Sequence, residues 1–199
     1  MIISHNKGRG RKIHILADGE YALTTDVDFW ADHYIKDGSE ISEEEWAEFV
    51  SEANYRKAVN KCFDFLSRRD YSVKELRGKL LKTVDADSAD RAIERMLELD
   101  YLDDERYAES LLNHLINNKK MSSSFIRQEM LKRGISRDTV DALLSETEID
   151  NVSVIAELIV KKYRTKLEAE NGRDKVIAAL MRKGFTYSDI KAAFRELEE

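Results

Sequence analysis

Positively charged residues recur along this sequence at intervals of fifty residues. Lys82, Lys132 and Arg182 are separated by 50 positions each. Cations repeated in this way on one face would bind an anionic polymer or an acidic groove of another protein through electrostatic attraction. Two further pairs recur at the same interval, Arg77 with Arg127 and Arg133 with Lys183. Two other pairs are adjacent in the sequence, Arg68 with Arg69 and Lys161 with Lys162. These eleven residues are the candidate partner- or DNA-binding residues.

A purely structural explanation of the same cations also stands. Lys82, Lys132 and Arg182 each fall near the end of a predicted helix, where a positive charge stabilises the helix dipole by about 0.3–1 kcal/mol. The two explanations are compatible, because a cation at a helix end can also face a partner. Aromatic residues are not interleaved with these cations, which argues against a surface that stacks nucleic-acid bases.

Residue patterns typical of catalysis or cofactor binding are missing from the sequence. The four histidines are scattered and lack the spacing of metal ligands. Cys62 lies on the apolar face of a predicted helix, which favours a buried small hydrophobe over a nucleophile. The Gly8–Arg11 segment lacks the context of a phosphate loop and is predicted to belong to a flexible end. The acidic run Asp103–Glu105 reads as a helix N-cap rather than a cation site. We therefore expect no enzyme, no metal and no cofactor.

The elements that must position the cations follow from apolar residues with the same period. The positions that repeat at intervals of 50 are Leu76, Ile126 and Val176, and Leu80, Met130 and Leu180. Such a period indicates one supersecondary unit copied in tandem, because a single unit cannot bury its own apolar face. Each unit is predicted to hold three short helices, and Gly134 and Gly184 are predicted to follow the middle helix as C′ glycines.

The composition supports a mostly helical chain. It has 199 residues, no proline and 8 glycines, with 42% hydrophobic and 36% charged residues. No run approaches the roughly 18 apolar residues of a membrane span. The net charge of −6 is uneven, since residues 1–52 carry −7 and residues 53–199 carry +1. With a single cysteine and no signal-peptide pattern, we expect a cytoplasmic protein that does not contact a membrane.

The amino-terminal residues differ from the repeats. Short apolar runs at about 11–17 and 20–25 flank Asp18-Gly19, which predicts a small β-hairpin. The hairpin should pack either on a helix around Phe29 and Trp30 or on the first repeat. Gly38 is predicted to end that helix. Ser42 followed by Glu45 predicts a capping box at the start of the next helix.

These patterns predict a mostly α chain with four parts. The expected divisions are an amino-terminal hairpin with an acidic helical segment, followed by three three-helix repeats, at residues 1–52, 53–101, 102–148 and 149–199.

Four segments of the sequence resemble the RecX family of bacterial regulators of the RecA recombinase. They are the amino-terminal hairpin followed by its Ser-Glu-Glu-Glu helix, Leu66–Leu80, Leu97–Ser110 and Phe125–Ser136. The stretch Leu97–Ser110 is similar to the most specific signature of that family, although Asp100 stands where a glycine is common.

The resemblance implies an elongated, curved array of three repeats that acts as a monomer. It also implies binding in the helical groove of the RecA filament on single-stranded DNA, which would restrain ATP turnover, filament growth and strand exchange in DNA repair, recombination and the SOS response. Two other functions fit the residues alone: a helical-repeat DNA-binding protein that needs no recombinase, and a helical adaptor for an unrelated protein.

Overall fold

The computed structural model of the chain describes residues 1–198 and consists of two compact units. The first unit is Met1–Leu102, and the second begins at Asp103. Each unit contains two clusters of buried apolar residues, so each has its own core. No helix among residues 1–198 has both the length and the apolar character that crossing a membrane requires.

A four-stranded antiparallel sheet forms the start of the first unit. Its strands are β1 (Ile2–Lys7), β2 (Lys12–Ala17), β3 (Glu20–Asp26) and β4 (Ser39–Glu40), in the order β3-β2-β1-β4. The predicted hairpin is confirmed as β2 and β3. Asp18 and Gly19 have φ angles of 51° and 84° at its turn, the positive values that a tight two-residue hairpin turn needs.

The Gly8–Arg11 segment is not a flexible end, contrary to the prediction. It connects β1 to β2, and the backbone N–H of Gly8 donates to the carbonyl of Lys12 at 2.8 Å. The polar outer residues of β1, such as Asn6 and Lys7, hid the strand from a search for apolar alternation. The prediction therefore missed a strand that holds the centre of the sheet beside β2.

The first helix, α1 (Val27–Asp32), ends without a glycine, so the predicted role of Gly38 is wrong. The helix ends at His33, whose N–H donates to the carbonyl of Phe29 at 3.0 Å. Gly38 has a φ of 78° and lies in the turn before β4, where its N–H donates to the carbonyl of Ile3. Positive φ explains the glycine at this position.

Helix α1 covers one face of the sheet, as predicted for the hairpin. Phe29 and Trp30 are buried in a cluster with Ile3 and Ile15 of the sheet and with Phe49 of the next helix. Aromatic rings meet edge to face here, with ring centroids of Phe29 and Phe49 5.4 Å apart. This packing gives a small sheet the apolar contact that an isolated hairpin lacks.

Helix α2 (Glu43–Leu66) joins the sheet to the first repeat. The predicted capping box is present at its start: Ser42 accepts from the Glu45 N–H, and Glu45 accepts from the Ser42 N–H. The helix runs without a break through the expected division between residues 52 and 53. Its first half buries Phe49 against the sheet, and its second half buries Cys62 in the first repeat.

The three predicted three-helix repeats are confirmed. The first repeat consists of the second half of α2 with α3 (Val73–Leu80) and α4 (Ala86–Glu98). The second consists of α5 (Asp104–Asn113) with a π-helical extension (His114–Asn118), α6 (Ser123–Lys132) and α7 (Arg137–Glu146). The third consists of α8 (Asn151–Leu158), a π-helical segment (Ile159–Tyr163) and α9 (Arg164–Leu167) in one continuous run, then α10 (Gly172–Met181) and α11 (Tyr187–Glu198).

The repeated apolar positions occupy equivalent places in the three cores. Leu80, Met130 and Leu180 have no exposed surface, and the same is true of the set formed by Leu76, Ile126 and Val176. The middle helices of the second and third repeats also end alike, because Gly134 and Gly184 have φ angles of 95° and 86°. The period of fifty residues therefore indicates that the repeats share both their length and the side of the middle helix that faces the core.

Candidate partner-binding surface

Two of the candidate arginines connect helices within their own repeats. Nε and Nη2 of Arg77 donate to the two carboxylate oxygens of Asp90 at 2.5 and 2.9 Å, which links α3 to α4. This hydrogen bond from Arg77 lowers the pKa of Asp90. Arg127 forms the equivalent ion pair with Asp141 between α6 and α7. We call these two contacts the Arg–Asp braces, and each largely neutralises the positive charge that the sequence offered to a partner.

The third repeat has no such brace, because different residues stand at the equivalent positions. Fifty residues after Arg127 and Asp141 stand Ile177 and Lys191. Ile177 is partly buried against the core of the third repeat, and Lys191 is exposed. A neutral pair in the first two repeats is therefore replaced by a single exposed cation in the third.

Four other candidate cations also have acidic partners on nearby residues. They form ion pairs as Arg68 with Asp64, Arg69 with Glu75, Arg133 with Glu129, and Lys161 with Glu157. Arg69 also lies over the ring of Tyr71, 3.6 Å from its centroid. Partial burial acts to lower the pKa of Arg133, but hydrogen bonds to Tyr107 and Glu129 outweigh it and raise the pKa. Arg133 is thus a half-buried structural residue as well as a cation.

Lys183 helps to join the third repeat to the second. Its Nζ donates to the backbone carbonyl of Lys119, and its own carbonyl accepts from the Ser122 N–H at 3.2 Å. The next residue, Gly184, packs so closely that a Cβ there would lie 2.5 Å from Ser122 Oγ and 2.7 Å from Phe125 Cβ. The end of α10 is therefore docked on the start of α6.

Lysines gather around this junction. Partial burial lowers the pKa of Lys183, and the charges of Lys162 and Lys119 lower it further. Glu157 binds Lys161 and Lys120 at 2.9 and 3.0 Å, and these contacts lower the pKa of Glu157. The junction cluster is thus Lys119, Lys120, Lys161, Lys162 and Lys183 around one carboxylate, Glu157. Lys119 and Lys120 were not among the candidates, because the candidates were chosen mainly for recurring at intervals of fifty residues and these two lysines occur in one repeat only. That the two lysines are adjacent in the sequence was the signal that could have identified them.

Four of the eleven candidates remain as exposed cations with no ion pair to any residue in the range 1–198. One, Lys82, lies in the first unit just after α3. The other three, Lys132, Lys162 and Arg182, lie in the second unit. Three of the four candidate cations that lack an ion pair therefore lie in the second unit.

The remaining sequence candidates have structural roles. Cys62 is fully buried, and burial raises the pKa of its thiol to about 11. Asp103 is the N-cap of α5, as predicted, because its carboxylate accepts from the N–H groups of Glu105 and Arg106 at 2.9 Å. Among residues 1–198, no group of three or more histidine, cysteine, aspartate or glutamate side chains is placed to hold a metal ion.

Known protein families match the chain repeat by repeat. Residues 58–96, 103–144 and 148–194 match, in order, the first, second and third three-helix domains of RecX. The chain belongs to the RecX family. The three matched segments correspond to the three repeats of the structure, so the RecX architecture accounts for the three-helix repeats.

Individual RecX proteins match over much of their length. The chain is 27% identical to the regulatory protein RecX of Clostridioides difficile over 198 residues, which cover 98% of this chain and 93% of that protein. It is 29% identical to the regulatory protein RecX of Caldanaerobacter subterraneus over 192 residues, covering 93% of each chain. The Streptococcus pneumoniae protein of the same name is 32% identical over 160 residues, covering 79% of this chain and 62% of that protein. These relatives are named as regulators and not as enzymes.

Two solved RecX structures share the fold. The crystal structure of one regulatory protein RecX superposes with a TM-score of 0.61, at 21% identity and 98% coverage of both chains. The crystal structure of RecX from Lactobacillus salivarius superposes with a TM-score of 0.56, at 26% identity, over 73% of this chain and 97% of that one. The RecX fold thus tolerates wide divergence in sequence.

A residue that departs from the RecX pattern adopts the backbone of the residue it replaces. Asp100 stands where glycine is common, and its φ is 58°. Lys120 also has a positive φ, 50°, in the turn between the first and middle helices of the second repeat. Glycine reaches this left-handed region without steric cost, whereas other residues are strained there. The family's glycine is therefore explained by the turn that follows the helix.

Proposed function

We propose that this chain is a non-enzymatic regulator of the RecA recombinase. In this proposal it binds the RecA filament on single-stranded DNA and restrains the filament's ATPase activity, growth and strand exchange. The observation that carries the proposal is the match of all three repeats, in order, to the three domains of RecX. Relatives named regulatory protein RecX that align over nearly the whole chain add to it.

The exposed cations of the second unit are the proposed contact residues. Lys132, Lys162 and Arg182 carry charge that no carboxylate within residues 1–198 neutralises by an ion pair, so it is available to the phosphates or acidic side chains of a filament. The braced arginines are weaker candidates, since a partner must first displace Asp90 or Asp141. Arg133 and Lys183 are weaker still, because Arg133 connects helices within the second repeat and Lys183 joins the third repeat to the second.

The test is a triple charge reversal, Lys132→Glu, Lys162→Glu and Arg182→Glu. Three reversals change the local charge by about −6, and we expect about tenfold more protein to be needed to suppress ATP turnover by RecA on single-stranded DNA. A matched control reverses Lys7, Arg9 and Lys36, which are also exposed and lie in the first unit. Circular dichroism would verify that both variants keep their helices.

Suppression by the triple variant at parental concentration would show that these three cations are not the contact. Loss of suppression by the control alone would place the contact in the amino-terminal region. A parental protein without effect on RecA would reject the proposed function itself.

The same exposed cations also support a second function, direct DNA binding without a recombinase. Salt distinguishes the two. Binding to naked single-stranded DNA should weaken as salt rises, with a slope of about −0.7 per phosphate neutralised. Tight DNA binding with that slope, unchanged by added RecA, would favour this second function.

A further inference from the structure

The first unit contains a groove that the proposed function leaves unused. It has a volume of about 600 Å³ and lies between strand β3 and helix α2. Six consecutive residues of β3, from Tyr21 to Asp26, line one side. Successive side chains of a strand point to opposite faces of its sheet. A wall made by consecutive residues therefore includes the edge of the strand, and Lys12 of β2 extends the lining beside Asp26.

Strand β3 is an outer strand of its sheet. It pairs with β2 on one side, and the sheet order places no further strand beyond it. Alternate N–H and C=O groups of an edge strand point away from the sheet and are available to pair with another extended chain. Helix α2 forms the opposite wall, as in domains that hold an extended peptide between an edge strand and a helix.

The two ends of the groove differ. At one end Arg56 Nε lies 3.6 Å from Asp26 Oδ2, and Asn60 Nδ2 lies 3.5 Å from the same oxygen. These contacts tie α2 to the end of β3 and close that end. Tyr21 at the other end is 66% exposed. A guest chain would therefore enter from the Tyr21 end.

The charges that line the groove select an acidic guest. Asp26 is engaged by Arg56, and Asp64 forms an ion pair with Arg68. The other charged lining residues are Lys12, Lys57 and Lys61, and none of them forms an ion pair within residues 1–198. This cationic lining is a local exception, because the first unit, residues 1–102, holds 16 lysines and arginines against 21 aspartates and glutamates, a net charge of −5.

We infer that this groove binds an extended acidic peptide segment of a partner protein, which adds to β3 as a further strand. Backbone pairing with β3 gives such a segment its direction, and the three lysines favour glutamate or aspartate on the side that faces α2. A shift in the β2–β3 register, which leaves Ala22 as a bulge, twists the edge. The twist disfavours flat pairing with the same edge of a second copy, whereas a short segment can follow it.

The probe is a fluorescein-labelled peptide of about nine residues, a common strand length, in which glutamate alternates with valine. The full chain should bind it, and the amide resonances of Thr24 and Asp26, whose N–H groups face away from β2, should shift in its presence. A second peptide, with prolines in place of alternate valines, lacks the N–H groups that pair with a strand. It should bind at least about tenfold more weakly.

The protein variant is Lys57→Glu with Lys61→Gln, which removes two of the three lysine charges of the lining and keeps a long side chain at the half-buried position 61. We expect at least about tenfold weaker binding of the acidic peptide. The matched control, Lys74→Glu with Lys36→Gln, changes two exposed lysines of the same unit outside the groove. It should bind the peptide as the parent does.

Equal binding of the proline peptide would overturn the strand-pairing inference, and equal binding by the groove variant would overturn the charge argument. Tighter binding of a single-stranded oligonucleotide, lost in the groove variant, would assign the groove to nucleic acid instead. A parent that does not bind the acidic peptide would reject the site. None of these results depends on RecA, so they are separate from the outcome of the ATP-turnover test.

Discussion

Cys62 is a core residue whose chemistry is set by its surroundings. It packs among apolar side chains of the first repeat with no exposed surface, and burial raises the pKa of its thiol from 9.0 to about 11. The thiolate is the reactive form of cysteine, so both burial and the raised pKa make this thiol inert in the folded protein.

We predict that a thiol reagent at pH 8 will label Cys62 fast only after the chain unfolds in denaturant. The raised pKa also couples this residue to stability. Between about pH 9 and 11 the unfolded thiol loses its proton while the folded thiol keeps it, so the contribution of Cys62 falls as pH rises through that range. Denaturant titrations at pH 8 and pH 10.5 should show a smaller loss of stability for Cys62→Ala than for the parent. Rapid labelling of the native protein would contradict the burial of this residue.

Lys183 and Arg133 show which property of a residue could not be predicted from the sequence, namely whether its side chain is free to contact a partner. Recurrence at intervals of fifty residues identified both, and it reports position along a helix correctly. It does not report whether the side chain is free. Lys183 donates to the backbone of the second repeat, and Arg133 binds Glu129 and Tyr107. The contacts of Lys183 with Lys119 and of Arg133 with Tyr107 depend on how helices meet, which the sequence of a single helix does not specify.

At the scale of elements, two glycines of the repeats differ in what their positions require. One follows the end of a helix, and the other lies inside a helix. Gly184 follows α10 with a φ of 86° and lies against Ser122 and Phe125. Gly78 lies inside α3, where an added Cβ would meet nothing within 4 Å. The two positions therefore respond to the same substitution in opposite ways.

We predict that Gly184→Ala destabilises the protein by about 2–4 kcal/mol, because alanine is strained at positive φ and its Cβ overlaps the start of α6. Gly78→Ala is the matched control. It should stabilise the protein by about 0.5–1 kcal/mol, since alanine is the better residue inside a helix. Urea denaturation of both variants measures the two changes. Equal effects of the same sign would show that the junction between the second and third repeats is wrongly placed.

The helices of the repeats were predictable because their signals are local. Apolar spacing, serine and aspartate caps and C′ glycines together placed the middle helices and the shared core positions Leu80, Met130 and Leu180. Strand β1 was missed because its outer residues are polar, and β4 was missed because it pairs with residues of β1 more than thirty positions away. The continuity of α2 was missed because the change from one core to the next shifts its apolar face midway.

At the scale of the whole molecule, none of the four apolar core clusters contains residues of both compact units. The sheet core and the core of the first repeat share helix α2 and lie before Asp103, whereas the cores of the second and third repeats lie after Leu102. Each core cluster therefore belongs wholly to one unit.

We predict that residues 1–102 and 103–199, expressed separately, each fold on their own. Each fragment keeps its own buried apolar clusters, so each should show helical circular dichroism and a cooperative thermal transition. A useful comparison is a cut between residues 52 and 53, which would divide α2 and separate Phe49 and Ala53 of one cluster. Fragment 1–52 should fail to fold, because it loses Ala53 and the rest of α2, whereas fragment 53–199 still contains the second unit. A folded fragment 53–199 together with an unfolded fragment 103–199 would contradict the two-unit description.

The Arg–Asp braces make the effect of a substitution depend on the order in which substitutions occur, which is sign epistasis. In the third repeat, Ile177→Arg alone would set a guanidinium opposite Lys191 and add repulsion between like charges. Lys191→Asp alone would leave a carboxylate without its arginine. Only the two changes together recreate the pair that Arg127 and Asp141 form in the second repeat. Both single substitutions are unfavourable, so a repeat cannot be converted one residue at a time without passing through a less stable protein.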